Sequence, residues 1–219
     1  ELVKVGETEP LDVFMFRGFV VTADGTRAAS AGASRSFLLD TTTADVLFEF
    51  PETDAHAVAL SPNGQHIAIT RLKHEPERCD VVVWNIEAQP KVVGAITDAV
   101  APYAAGVAIS NDGLRIASCG YEQPVRLWSS ESLDSTFQLE REISGGGQNY
   151  CVAFAPDGSI VFGSPVFAAS FNVHGEPIAS YVVGGNTSCL IFAPDGRQLI
   201  AGNTLGEVAV FDFRSGTKE

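Results

Sequence analysis

Five copies of one tight turn recur along the chain, and this repeat constrains the fold more than any other feature of the sequence. In each copy Asp or Asn stands directly before glycine, with an apolar run on either side. This pattern is the strongest short-range signal of a β-hairpin, because glycine accepts positive φ and Asx side chains bond the local backbone. The turn glycines are Gly25, Gly64, Gly113, Gly158 and Gly196.

The spacing of the turns predicts a larger repeat. Successive turn glycines are 39, 49, 45 and 38 residues apart, close to the roughly 40–45 residues of a four-stranded propeller blade. Third strands are predicted after the hairpins, at Ser36–Asp40, Val81–Ile86, Val125–Ser129, Ala168–Val173 and Val208–Phe213. A more variable fourth strand precedes the next hairpin. The sequence therefore predicts an all-β chain, a β-propeller of four-stranded antiparallel blades with about five blades visible over residues 1–219.

The third strands also resemble those of a known family. Val81–Asn85 and Val125–Ser129 each carry a tryptophan one residue before their end, and they resemble the strand that ends in Trp-Asp in WD-repeat proteins. Leu39-Asp40 keeps the Asp and replaces the Trp, as Phe-Asp does near the C-terminal end. Ser30 and Ser118 match the family's serine on the second strand. The resemblance covers almost the whole chain and implies WD-like blades.

The repeats depart from the family pattern in their polar residues. Typical members place an Asp six residues before the Trp, whereas Glu122 and Arg78 stand at that position here. WD-repeat propellers usually close with seven blades, and an open array exposes its edges. The resemblance therefore implies that these blades belong to a larger propeller of about seven. Closure of the last blade by an N-terminal outer strand such as Leu2–Val5 is the alternative.

Charge and cysteine content restrict the partners and the compartment. The net charge of −13 argues against nucleic acid and anionic membranes as primary partners and fits proteins with basic patches. Cys151 and Cys189 each lie seven residues before a turn glycine, so they occupy the same position in successive blades. We expect them to pack as small buried thiols in a reducing compartment. No signal-peptide pattern or long apolar run is present, so we expect a cytoplasmic or nuclear protein without membrane insertion.

The sequence contains no recognisable catalytic constellation. No Gly-x-Ser-x-Gly motif is present, and none of the histidines accompanies a nucleophile motif. The triple glycine at 145–147 lacks the Lys-Ser/Thr of a phosphate-binding loop. The cysteines show no CxxC pairing and no metal-ligand spacing with the histidines. We therefore expect no enzyme activity, no metal and no cofactor.

One insertion differs from the rest of this acidic chain. Residues 71–78 lengthen the connection between the second and third strands of blade two, and several of them are basic. Three tyrosines fall in loops expected on the same face. Exposed loops and aromatic or Arg side chains are typical of interfaces, although an ordinary tolerated insertion explains the segment equally well. The candidate partner-binding residues are Arg71, Lys73, His74, Arg78, Tyr103, Tyr121 and Tyr150.

These observations favour a non-catalytic scaffold for protein–protein interaction, a subunit of a larger multiprotein assembly. Two alternatives remain open. The chain could be a propeller enzyme or small-ligand-binding protein that uses the central channel, or a purely structural domain of a multidomain protein. The inner-strand positions that would line such a channel carry small residues, Gly18, Ala57, Gly106, Cys151 and Cys189.

Overall fold

The computed structural model describes residues 16–74, 77–100, 104–121, 123–132, 135–144, 148–165, 167–193 and 195–218. In these residues all regular secondary structure is β, with nineteen strands in five antiparallel sheets arranged as a β-propeller. The strand order within each sheet follows the chain. The all-β prediction and the blade repeat are therefore confirmed. No helix in the described residues is long and apolar enough to cross a membrane.

The first three blades each have four strands. Blade one contains β1 (Phe16–Val21), β2 (Arg27–Gly32), β3 (Ser36–Asp40) and β4 (Val46–Phe50). Blade two contains β5 (Val58–Leu60), β6 (His66–His74), β7 (Glu77–Asn85) and β8 (Lys91–Val100). Blade three contains β9 (Ala104–Ile109), β10 (Arg115–Gly120), β11 (Val125–Ser129) and β12 (Gln138–Ile143).

The last two blades continue the pattern. Blade four contains β13 (Cys151–Phe154), β14 (Ile160–Gly163), β15 (Phe167–Phe171) and β16 (Pro177–Val182). Blade five contains β17 (Thr187–Phe192), β18 (Gln198–Asn203) and β19 (Val208–Asp212). In the described residues its sheet has three strands, extended only by an isolated bridge between Phe211 and Lys218. The proposed closing strand Leu2–Val5 lies outside the described residues.

The apolar core lies between blades rather than inside them. The first strands contact one another in order, β1 with β5, β5 with β9, β9 with β13 and β13 with β17. Four apolar clusters fill the four interfaces between successive blades. Between blades one and two, for example, the centroid of the Trp84 ring lies 5.5 Å from that of Phe48 and 5.4 Å from that of Phe50. Each blade is therefore held mainly by its neighbours, as expected in a repeat protein.

The turns form as their sequence predicts. All five turn glycines have positive φ, between 69° and 83°. In blade two Asn63 Oδ1 accepts the Gln65 N–H at 3.0 Å and the Ser61 hydroxyl at 2.6 Å. Asp24 and Asp112 make the same pair of bonds in blades one and three. The Asx side chain therefore replaces missing backbone partners in each turn.

One of the two third-strand tryptophans takes part in a hydrogen-bond network between strands. In blade three the Trp128 indole N–H donates to Ser118 Oγ at 3.1 Å, and that hydroxyl donates to the Ala99 carbonyl at 3.0 Å. In blade one Leu39 replaces the tryptophan, and the buried hydroxyl of Ser30 has no hydrogen-bond partner. Glu122, at the position of the family's Asp, lies outside the described residues.

The outer face of blade five is exposed. Ile191 is 61% exposed and Val208 70%. By strand register, Val208 occupies the position in blade five that Ala168 occupies in blade four. Ala168 is fully buried beneath blade five. Cys189 shares this face and is exposed, so the prediction of a buried thiol is wrong there. The reason is that no described strand covers this face as blade five covers blade four.

Candidate interaction site on the blade-two hairpin

The basic segment of blade two is a β-hairpin extension and not a loop insertion. β6 and β7 continue past the ends of the neighbouring blades' strands, with Arg71 opposite Asp80, Lys73 opposite Arg78 and His74 opposite Glu77. β8 follows them, so that Val100 pairs with Cys79. The predicted loop was wrong because backbone pairing, which local composition does not reveal, extends the ladder through these polar residues.

Three basic side chains converge on a single carboxylate. Asp80 Oδ2 lies 3.4 Å from Arg71 Nη2 and 3.8 Å from Lys73 Nζ, and Asp80 Oδ1 lies 3.2 Å from Arg78 Nε. Side chains alternate between the faces of a strand, so all four residues share one face of the hairpin. We call Arg71, Lys73, Arg78 and Asp80 the basic quartet. It brings together three of the seven predicted binding residues.

Asp80 is the buried member of the basic quartet. Its side chain is 5% exposed, whereas those of Arg71, Lys73 and Arg78 are 35%, 38% and 27% exposed. Asp80 Oδ1 also accepts the Asp98 N–H at 3.0 Å. The charged ends that a partner can reach on this face are therefore the cations, with their counter-ion held beneath them.

A second buried carboxyl group lies near Arg71. Glu52, in the connection that leads into β5, is 2% exposed, and its Oε2 has no hydrogen-bond partner. Burial raises the pKa of Glu52, and the positive charge of Arg71 opposes this rise. Among the described residues Arg71 thus interacts electrostatically with both Glu52 and Asp80, whereas the ion pairs of Lys73 and Arg78 are with Asp80. No signal in the sequence marked Glu52 or Asp80 as part of this site.

Two of the predicted tyrosines meet on the same rim. In antiparallel blades the start of the first strand lies at the same end as the link between the second and third strands. Tyr121 follows β10 and Tyr150 precedes β13, and their rings pack edge to face with centroids 5.4 Å apart. Tyr121 is 48% exposed, and the Tyr150 hydroxyl donates to Gln148 Oε1 at 2.6 Å. Tyr103 and the side chain of His74 lie outside the described residues.

The opposite rim consists of the Asx-Gly turns. Two surface clefts lie there, between the turns of blades one and two and between those of blades four and five. The Thr22 hydroxyl, with the backbone N–H and hydroxyl of Thr26, lowers the pKa of Asp24 to about 2. These polar groups hydrogen-bond to one another within the blade-one turn, so the lowered pKa of Asp24 is explained by bonds that stabilise the turn.

The inner strands bring cysteines close to glycines. A Cβ on Gly106 would lie 3.0 Å from Cys119 Sγ, and one on Gly163 would lie 2.7 Å from Cys151 Sγ. Burial raises the pKa of the Cys151 thiol to about 12, and the neighbouring Cys189 adds to this rise. No group of three or more His, Cys, Asp or Glu side chains in the described part of the chain has the geometry of a metal site.

Comparison with protein-family models and with curated proteins finds no significant match for this chain.

Proposed function

We propose that this chain is a non-catalytic scaffold that docks other proteins through the rim that carries the blade-two hairpin and the Tyr121–Tyr150 pair, as a subunit of a larger assembly. The observation that carries the proposal is the hairpin extension of blade two, which presents Arg71, Lys73 and Arg78 partly exposed on an acidic chain. Exposed groups on a firmly packed framework are where binding residues concentrate.

The mechanism is equilibrium docking, in which no covalent bond forms or breaks. The Tyr121–Tyr150 pair adds an apolar contact with a polar edge to the same rim. Tyr and Arg are enriched among the residues that dominate binding free energies. Elsewhere the net charge of −13 favours partners with basic patches and disfavours direct nucleic-acid binding. We further propose a location in the cytoplasm or the nucleus, where a reducing environment suits the free cysteines.

The proposal includes membership of the WD-repeat family and a complete ring of about seven blades. The bond between Trp128 and Ser118 supports the first part, because it links the two residues that resemble the family's pair. The exposed face of blade five supports the second. Ile191 and Val208 lie where the equivalent residues of blade four are covered by a neighbouring sheet, so a further blade would bury them.

Affinity purification of the full-length protein from its source, followed by mass spectrometry and native mass measurement, tests the scaffold. We expect a reproducible set of stoichiometric partners, depleted when Arg71, Lys73 and Arg78 are replaced together by glutamine. The substitution Lys91→Gln is the matched control, because Lys91 is an exposed cation of the same blade outside the basic quartet. Recovery of the protein alone, at its own monomer mass, would overturn the proposal.

A further inference from the structure

The arrangement of charge in the basic quartet is unfavourable for the isolated chain. Lys73 lies directly opposite Arg78 across the β6–β7 pair. Like charges at directly opposed positions of an antiparallel pair destabilise it. Among the described side chains, the carboxylate of Asp80 lies within 4 Å of all three cations, and it also accepts a backbone N–H from Asp98. Three cations of the described residues therefore share one buried counter-ion.

The described residues do not satisfy every hydrogen-bond donor of the quartet. Lys73 Nζ lies 3.8 Å from Asp80 Oδ2, too far for a hydrogen bond. The Nε atoms of Arg71 and Arg78 are buried without a hydrogen-bond partner, although Arg78 Nε lies within ion-pair distance of Asp80. A guanidinium has five N–H donors in a fixed plane. The partly exposed side chains of Arg71, Lys73 and Arg78 can therefore pair with a second anion from the solvent side, and that anion would offset the repulsion between Lys73 and Arg78.

We propose that the basic quartet binds an acidic peptide segment of a partner protein, with side-chain carboxylates paired to Lys73 and Arg78 and supported by Arg71. This inference rests on the proposed scaffold function and names the chemistry of the segment that docks on blade two. Carboxylates match the planar fork of arginine. The positive charge of the quartet therefore favours an acidic partner, whereas the rest of the acidic surface favours basic partners.

The small size of the quartet favours a peptide over nucleic acid. Nucleic-acid affinity depends on many phosphate contacts along a basic surface. Here three cations surround a buried carboxylate, in a chain whose net charge of −13 repels an extended polyanion. A short acidic segment approaches only this patch and needs few contacts.

Fluorescence anisotropy with the full chain tests the inference. The probe is a short labelled peptide of alternating glutamate and serine, compared with the same peptide carrying glutamine and with a single-stranded oligonucleotide of equal net charge. We expect the glutamate peptide to bind about tenfold more tightly than the glutamine peptide, and added salt to weaken it. Lys73→Gln and Arg78→Gln should each weaken it about tenfold, whereas Lys91→Gln should leave it unchanged.

Three results would overturn the inference. The first is equal affinity for the glutamate and glutamine peptides. The second is no effect of Lys73→Gln and Arg78→Gln in variants with wild-type thermal unfolding, and the third is tighter binding of the oligonucleotide than of the glutamate peptide. Failure here is distinct from failure of the scaffold, because stoichiometric partners that survive both substitutions would retain the scaffold while removing the acidic-peptide site.

Discussion

Replacing Tyr181 by phenylalanine removes one buried oxygen that joins blade four to blade five. Tyr181 in β16 is fully buried, and its hydroxyl donates to the Phe213 carbonyl at 2.6 Å. The same oxygen lies 3.1 Å from Ser170 Oγ. Phenylalanine retains the ring, which lies 5.5 Å from that of Phe211 in blade five. The substitution therefore isolates the hydrogen bonds from the packing.

The loss in the free energy of unfolding follows from the buried carbonyl that is left without a hydrogen-bond partner. Phe213 is 2% exposed, so its carbonyl loses a partner without gaining free access to water. A buried polar group left unpaired costs about 1–3 kcal/mol, and we expect the free energy of unfolding to fall by about 2 kcal/mol for Tyr181→Phe. For a domain of this size that corresponds to about 4–8 °C in Tm.

Urea unfolding followed by tryptophan fluorescence measures the change. Tyr150→Phe is the matched control, since its hydroxyl also makes a 2.6 Å bond but bonds the Gln148 side chain at a partly exposed site. We expect that control to lose less than about 0.5 kcal/mol. A Tyr181→Phe variant that is as stable as the wild type, or no less stable than Tyr150→Phe, would refute the conclusion that this hydrogen bond stabilises the contact between blades four and five.

Three further predictions concern the turns, the blade interfaces and the thiols. The Asp24 carboxyl should titrate near pH 2 by NMR, and its pKa should rise after Thr22→Val. Its contribution to stability is therefore present above the unfolded pKa of 3.8 and lost as pH falls through about 2. An unchanged titration midpoint in the variant would contradict this. Gly163→Ala should lower the free energy of unfolding by about 1–3 kcal/mol in urea, because the new methyl would lie 2.6 Å from a threonine across the blade interface; wild-type stability would refute the close approach. In the isolated 219-residue chain, where no described strand covers the outer face of blade five, Cys189 should be alkylated by iodoacetamide before the buried Cys119, as followed by peptide mass spectrometry. Equal rates in that chain would contradict the exposure of Cys189.

Local chemistry made the repeat predictable from the sequence. The Asx-Gly turns depend on residues within a few positions, and their φ angles and hydrogen bonds match the expectation. The strands Ser36–Asp40 and Val125–Ser129 have the predicted bounds. An inner strand that is covered on both faces has a nearly continuous apolar sequence, regardless of which elements cover it. The blades could therefore be predicted without knowing how they pack.

Features that depend on pairing between distant residues were not predictable. Arg71 and Lys73 suggested a loop because polar runs usually end strands, yet backbone register places them opposite Asp80 and Arg78. The exposure of Cys189 depends on the absence of a described neighbour and not on its own repeat position. The sequence predicted the basic cluster by composition, whereas its buried counter-ion is evident only from the register.

Hydrogen–deuterium exchange on the purified complex tests most directly whether the blade-two hairpin is the docking site. The account predicts that partner binding slows amide exchange over residues 71–80 and near Tyr121 and Tyr150, while the Asx-Gly turns on the opposite rim exchange as in the free chain. Protection confined to the turn rim, or no change over residues 71–80, would contradict it.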